Sequence, residues 1–238
     1  MFKSHKFLLL FYFVSCSFLA FSEGKSTSVE VMSLNIYGWK TMPQFSSDYA
    51  KLINEHKVDI LAIQEGVEDW QLSTRMPTNY NRAKTLQNSL GKCWQRSFQL
   101  FVNRCQGNTF IDSGRFDLTD GINVTRTGEY AVIANATRQF LVINVHFDHQ
   151  SKEIRLLNAA ETLNQIENYH HYPQIVLGDF NHQCTGMSAL LTSVKKPLEL
   201  VVDAGIDCLF INGFTSKGKV IDAYPSDHPA VLGRLTFN

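Results

Sequence analysis

Apolar and polar positions alternate along most of this chain, with stretches at helical spacing set between them. Residues 28–37 (SVEVMSLNIY) alternate as a strand does, residues 47–56 read as a short helix, and residues 58–64 (VDILAIQ) form an apolar run that stops at Glu65. Further strands are predicted over 98–102, 129–134, 140–147, 174–180, 208–212 and 230–237. Between two of them lies a helix with Ser151 as its N-cap. Leu156, Ala159, Ala160 and Leu163 recur at helical spacing and are predicted to face a sheet. Residues 112–128, rich in Gly, Asp and Thr, show no period and read as a long surface loop. No linker divides the pattern, which predicts one α/β domain with a mixed sheet and helices on its outer faces.

The first residues stand apart. Lys3 and Lys6 precede an uncharged apolar run over 7–21 that ends in Ala20-Phe21-Ser22, with small residues where a signal peptidase reads, the pattern of a secretory signal peptide over 1–22 ahead of one folded domain over 23–238. The run falls short of the ~20 apolar residues that span a bilayer. The chain is thus expected to be secreted, and no later segment reads as a membrane span.

With 238 residues, 44% hydrophobic and 18% charged, the chain is neither disordered nor collagen-like. Its 22 basic and 22 acidic side chains balance, and removal of the leader makes it slightly acidic. Binding through a broad basic surface is therefore excluded, and any nucleic-acid contact has to be local. A monomer is the expected state. Cys16 falls in the leader, which leaves Cys93, Cys105, Cys184 and Cys208, an even set suited to an oxidising compartment. Three pairings are open, and loop length favours Cys93-Cys105 with Cys184-Cys208. Zinc spacing is absent. Asn123-Val124-Thr125 and Asn135-Ala136-Thr137 are glycosylation sequons.

Chemistry-bearing residues sit where the apolar runs end. Asn35 closes the first, Glu65 the second, His146 follows 140–145, and Asp179 with Asn181 follows Ile175-Val176-Leu177. Asp207 and the pair Asp227-His228 complete the set. Strands deliver their last side chains to one rim of a sheet, so groups far apart in sequence can meet there.

Ser33-Leu34-Asn35, Ile63-Gln64-Glu65, Asn144-Val145-His146, Gly178-Asp179-Phe180-Asn181, Ile206-Asp207 and Ser226-Asp227-His228 together resemble the ordered motif series of the endonuclease/exonuclease/phosphatase superfamily. The series spans nearly the whole chain after the leader. Within the superfamily it is most similar to the secreted pancreatic-type deoxyribonucleases, which have His at the position of His146 and a Cys three residues after the Asn of GDFN, as Cys184 follows Asn181. The resemblance implies a four-layer α/β sandwich, with two packed mixed sheets and helices on the outer faces. It also implies Mg²⁺, with Mn²⁺ or Ca²⁺ as alternatives, and hydrolysis of a phosphodiester, with nucleic acid as a transient substrate. A sphingomyelinase-like enzyme acting on a lipid headgroup is the alternative, its aromatic hairpin sought at Leu209-Phe210-Ile211 with Phe214. A catalytically weak binding protein on the same scaffold is a third.

These residue types suit in-line attack by water at phosphorus. Glu65, with Asn35 and Asp227, would hold the metal. His228, oriented by Asp227, would be general base or phosphate ligand, and His146 the general acid. Asp179 and Asn181 would position water and phosphate, and Asp207 would orient one histidine. Arg115 and Arg126, with Asn35 and Asn181, would contact the substrate phosphate. His149 and His182 read as surface histidines, and Asp112, Asp117 and Asp120 as solvated loop residues. One departure stands out. The deoxyribonucleases support the catalytic His with a Glu, where this chain has Gln95; Asp148 or Glu129 would have to substitute.

Overall fold

The computed structural model describes residues 28–66, 81–120, 126–136, 138–191 and 195–238. The leader and the Asn123 sequon lie outside the described residues.

Two six-stranded mixed sheets pack face to face. The first contains Ser28–Asn35 (β1), Ile60–Gln64 (β2), Trp94–Ser97 (β3), Leu100–Asn103 (β4), Phe214–Ile221 (β11) and Ala230–Phe237 (β12), ordered β11-β12-β1-β2-β4-β3. The second contains Thr109–Leu118 (β5), Arg126–Ala134 (β6), Gln139–His146 (β7), Gln174–Asp179 (β8), Glu199–Ala204 (β9) and Asp207–Asn212 (β10), ordered β5-β6-β7-β8-β10-β9. Near the middle of each sheet is one parallel pair, β1 with β2 and β7 with β8.

Helices Ser46–Glu55 (α2) and Arg82–Leu90 (α3) cover the first sheet through Tyr49, Ala50, Ile53, Ala83 and Leu86, packed on Met32, Leu34, Leu61, Ile63 and Phe101. Lys152–Asn168 (α4) and Cys184–Leu191 (α5) cover the second through Ala159, Ile166, Met187 and Leu191. The order helix, sheet, sheet, helix is the four-layer sandwich expected from the resemblance. A short helix, Gly38–Thr41 (α1), follows β1.

Strand periodicity puts alternate side chains between the sheets. From one end this shared face is Val29, Val31; Ile60, Ala62; Phe140, Val142; Ile175, Leu177; Ile211, Leu209; and Ile133, Ala131, all buried. Two residues further along, the same faces carry Ser33 and Asn35, Gln64, Asn144 and His146, Asp179, Asp207 and Glu129. Each strand therefore changes from apolar to polar toward the same end of the sandwich. Each fully buried apolar side chain contributes about 1.5–3 kcal/mol, so the apolar half supports a polar half with little of that stabilisation.

Several expectations are corrected. Residues 112–118 and 126–128 are strand, not loop. β5 runs through Leu118 and pairs with β6 from Arg126, with Arg115 opposite Glu129 and Phe116 opposite Gly128. Half of the residues of β5 are solvent-exposed and only Leu118 is fully buried, so the strand carries no clear apolar period. The run at 98–102 is not a strand throughout: Phe98, with φ 52, and Gln99 form the turn between β3 and β4, and the strand begins at Leu100. α4 does begin after Ser151, whose Oγ accepts from Ile154 N at 3.2 Å. Its buried face, however, is Asn158, Ala159, Thr162 and Ile166, while Leu156 is 41% exposed. Asn158 turns inward because its Oδ1 accepts from Asp148 N at 3.0 Å and its Nδ2 donates to Thr119 O at 2.7 Å. Leu209, Phe210, Ile211 and Phe214 are buried in the core, which removes the exposed hairpin sought for a lipid substrate.

Both disulfides pair as loop length favours, Cys93 with Cys105 and Cys184 with Cys208. The second ties α5 to β10 across a sequence separation of 24. A Cys184→Ser, Cys208→Ser double variant should lose about 3 kcal/mol of unfolding free energy, read from urea denaturation. An unchanged urea midpoint would contradict this.

Candidate active site

Site residues from both sheets meet at the polar end of the sandwich. Asn35, the last residue of β1, is fully enclosed. Its Nδ2 donates to Asp179 Oδ2 at 3.2 Å and to Glu65 Oε1 at 3.4 Å, while its Oδ1 accepts from Tyr37 N at 3.0 Å. A neutral amide thus separates two carboxylates that would otherwise repel one another. Ser226 ties the far loop to the same residue, donating from Oγ to Asn35 O at 2.6 Å, and accepts from His228 N at 3.0 Å.

Asp179 ends β8 next to Gly178. A Cβ at position 178 would lie 2.0 Å from Val145 O, so only glycine lets β8 approach β7 there. Asp179 Oδ1 accepts from Asn181 N at 2.8 Å, and Asn181 Nδ2 donates to Phe147 O at 3.0 Å. Gly38 has a similar reason to be small, since a Cβ there would lie 2.4 Å from Glu65 O. Tyr37, Glu65 and Asn181 adopt left-handed backbone, with φ 46, 61 and 47.

His228 Nδ1 lies 2.8 Å from Asp207 Oδ2 and 3.9 Å from Asp179 Oδ2. The residue that orients His228 is therefore Asp207, not Asp227 as expected. Asp227 is exposed and influences Glu65 and His228 by its charge. His146 Nε2 faces Asp179 Oδ2 at 3.5 Å, and its Nδ1 receives Arg126 Nη1 at 2.6 Å. Neither Gln95 nor a carboxylate occupies that position. Gln95 is exposed on β3, Asp148 accepts from Gln150 N and Ser151 N, and Glu129 accepts from Gln99 N at 2.9 Å and Asn144 Nδ2 at 3.3 Å. Arg126 also reaches His149 at 3.2 Å, so this histidine belongs to the edge of the site. Arg115 stacks 4.7 Å over Phe98, and Asp112 accepts from Tyr169 Oη at 3.1 Å. Asn135 sits at the β6–β7 turn, where its Oδ1 accepts from Arg138 N.

Beneath these groups, Gln64 Nε2 donates to Asn144 Oδ1 at 2.7 Å and Ser33 Oγ at 3.1 Å, and Asn144 Nδ2 donates to Ile63 O at 2.9 Å. The motif series contains both Gln64 and Asn144 but does not by itself reveal this bridge between the sheets. Its signal was present: each is a polar residue at an inward position of an otherwise apolar strand.

Burial sets the electrostatics. It raises Glu65 and Asp207, and with the Asp207 charge it lifts Asp179 from 3.8 to about 6. The hydrogen bond that His228 donates to Asp207 raises His228 from 6.5 to about 9, whereas burial and then Arg126 hold His146 well below its ordinary value.

The donor set fits a hard divalent cation. Glu65 Oε2 and Asp207 Oδ1 are buried oxygens without a hydrogen-bond partner, an arrangement that is costly unless positive charge is brought to it. Ligand atoms of Asp179, Asp207 and His228 lie within 4.8 Å of one another.

The two sheets and this rim define the fold class of the endonuclease/exonuclease/phosphatase proteins. No protein-family model and no curated protein matches the chain by sequence. Solved structures do resemble it. An endonuclease/exonuclease/phosphatase family protein from Bacteroides thetaiotaomicron has a TM-score of 0.71 at 18% identity, covering 89% of this chain and 98% of its own. A mannosyl-6-phosphatase from the same species has a TM-score of 0.69 at 20% identity, covering 88% and 100%. The catalytic domain of human nocturnin, bound to sulfate, has a TM-score of 0.62 at 17% identity, covering 89% and 95%.

Asp179 and His228 both hold a proton more tightly in the folded chain than in the unfolded one, so each removes stability as pH rises. The loss runs from 3.8 to about 6 for Asp179 and from 6.5 to about 9 for His228. Melting temperatures of EDTA-treated protein should show the first decline flattened in Asp179→Asn and the second in Asp207→Asn. Parallel curves for all three proteins would refute the assignments.

Proposed function

We propose that this chain is a secreted, divalent-metal-dependent phosphodiesterase of the endonuclease/exonuclease/phosphatase superfamily, acting on nucleic acid in the manner of the pancreatic-type deoxyribonucleases. One observation carries the reading. Side chains from all six motifs gather at one rim, around buried carboxylate oxygens that lack partners. The two disulfides fit an oxidising destination. Among the described residues no helix is long and apolar enough to cross a membrane.

Glu65 and Asp207, whose buried oxygens lack partners, would hold Mg²⁺, with Mn²⁺ or Ca²⁺ as alternatives, and Asn35 and the charge of Asp227 would assist Glu65. When bound, the cation supplies charge neutralisation at the phosphoryl oxygens. Asp179, at about 6, is matched to taking a proton from attacking water near neutral pH. Asp207 keeps His228 protonated, which suits it to the phosphate and to the departing alkoxide rather than to the role of base. Asn181 would place the phosphate beside Asp179. Trp39, 51% exposed, follows Asn35 closely, and Tyr224, 79% exposed, precedes the Ser226–His228 segment; both offer faces on which unpaired bases can stack.

The test is to incubate the secreted protein with plasmid DNA, RNA, sphingomyelin vesicles and mannose 6-phosphate, with Mg²⁺ or EDTA, beside His228→Ala. Nucleic-acid cleavage is expected with Mg²⁺ alone, and the variant should lose about 10²–10⁴-fold in rate. Cleavage that persists in EDTA or in the variant would overturn the site. Headgroup or phosphate release without nicking would select a lipid or sugar-phosphate substrate instead.

A further inference from the structure

His146 has an unusual partner for a histidine expected to donate a proton. A carboxylate at Nδ1 would accept that nitrogen's hydrogen and stabilise the imidazolium. Arg126 does the opposite. A guanidinium has five N–H donors and no acceptor. Its 2.6 Å approach to His146 Nδ1 therefore requires a bare lone pair on that nitrogen. The single ring proton then lies on Nε2, the atom that faces Asp179 Oδ2 at 3.5 Å. The guanidinium is itself braced, because a second nitrogen lies 3.2 Å from His149 Nδ1. Asp148 anchors that segment at the start of α4 by accepting from Gln150 N at 2.8 Å and Ser151 N at 2.7 Å.

We propose that Arg126 is a positioning residue that fixes His146 as the neutral Nε2–H tautomer, so that His146 acts as a hydrogen-bond donor to phosphoryl charge rather than as the proton source for the leaving oxygen. Arg126 is accordingly assigned to the histidine, beyond the phosphate contact expected for it. His228, bonded through Nδ1 to Asp207, is left as the histidine that carries a transferable proton.

The tautomer assignment is independent of the phosphoesterase reading; the catalytic part rests on it. Long-range ¹H–¹⁵N correlation spectra of histidine-labelled, metal-free protein near neutral pH report each ring nitrogen directly. Wild type should show a pyridine-like Nδ1 and a pyrrole-like Nε2 for His146. Arg126→Met should show a mixture of tautomers, and Arg126→Lys should restore part of the wild-type pattern. With a substrate that is turned over, Arg126→Met should lower kcat about 10- to 100-fold, the usual effect of losing a group that orients a site side chain, with a smaller change in KM. If Arg126→Met does not fold, Arg126→Lys and wild type carry the comparison. A pyrrole-like Nδ1 in wild type, or an unchanged tautomer in every foldable variant, would overturn the proposal. If the tautomer series holds but nothing is hydrolysed, the tautomer assignment is supported and the phosphoesterase reading falls.

Discussion

A strand shows alternate faces to its surroundings, so whatever fills the space between two sheets also decides what stands at the mouth of that space. The rest of the structure depends on this constraint. Val29, Val31, Ser33 and Asn35 form one row on β1; Phe140, Val142, Asn144 and His146 form another on β7. The row that builds the core and the row that builds the site are the same row. A single-residue slip in register would send Asn35, His146 and Asp179 to the helix-covered faces and bring Leu34, Val145 and Gly178 between the sheets.

The polar half of that space is held by internal accounting of donors and acceptors. Gln64 and Asn144 bond across the sheets, Glu129 is engaged by Gln99 and Asn144, and Asn35 stands between two carboxylates. Glu65 and Asp207 each keep one oxygen outside this network. Burial opposes charge on both groups, and a cation would relieve that opposition. Structural bonding and readiness for a metal therefore coexist in one cluster, distinguished by which oxygens already have partners.

Much of this was legible in the sequence. Strands with a buried face announced themselves, as did the Ser151 cap, the disulfide pairs and the rim residues at the ends of apolar runs. The failures have physical causes. β5 is exposed at half of its residues and shows no clear period, and α3 and α5 are short with mixed composition. Asn158 replaced an apolar residue on the inner face of α4 because loop backbone groups needed closing. Asp207 took the place of Asp227 beside His228, and Arg126 took the place of a carboxylate beside His146. Neighbours in sequence are poor guides to partners in space when strands from opposite sheets converge.

Three of the non-glycine residues with left-handed backbone, Tyr37, Glu65 and Asn181, lie at the rim. Such conformations cost on the order of 1–3 kcal/mol each and persist because the packed sheets over-determine them. The mouth of the sandwich is thus held in shape at the expense of the core's surplus. Selection for heat tolerance would find its easiest gains at these three positions, where relaxing the chain would also release the geometry on which turnover depends. Durability and chemistry compete for the same few peptide units, and the apolar end of the molecule is where the first can be improved without forfeiting the second.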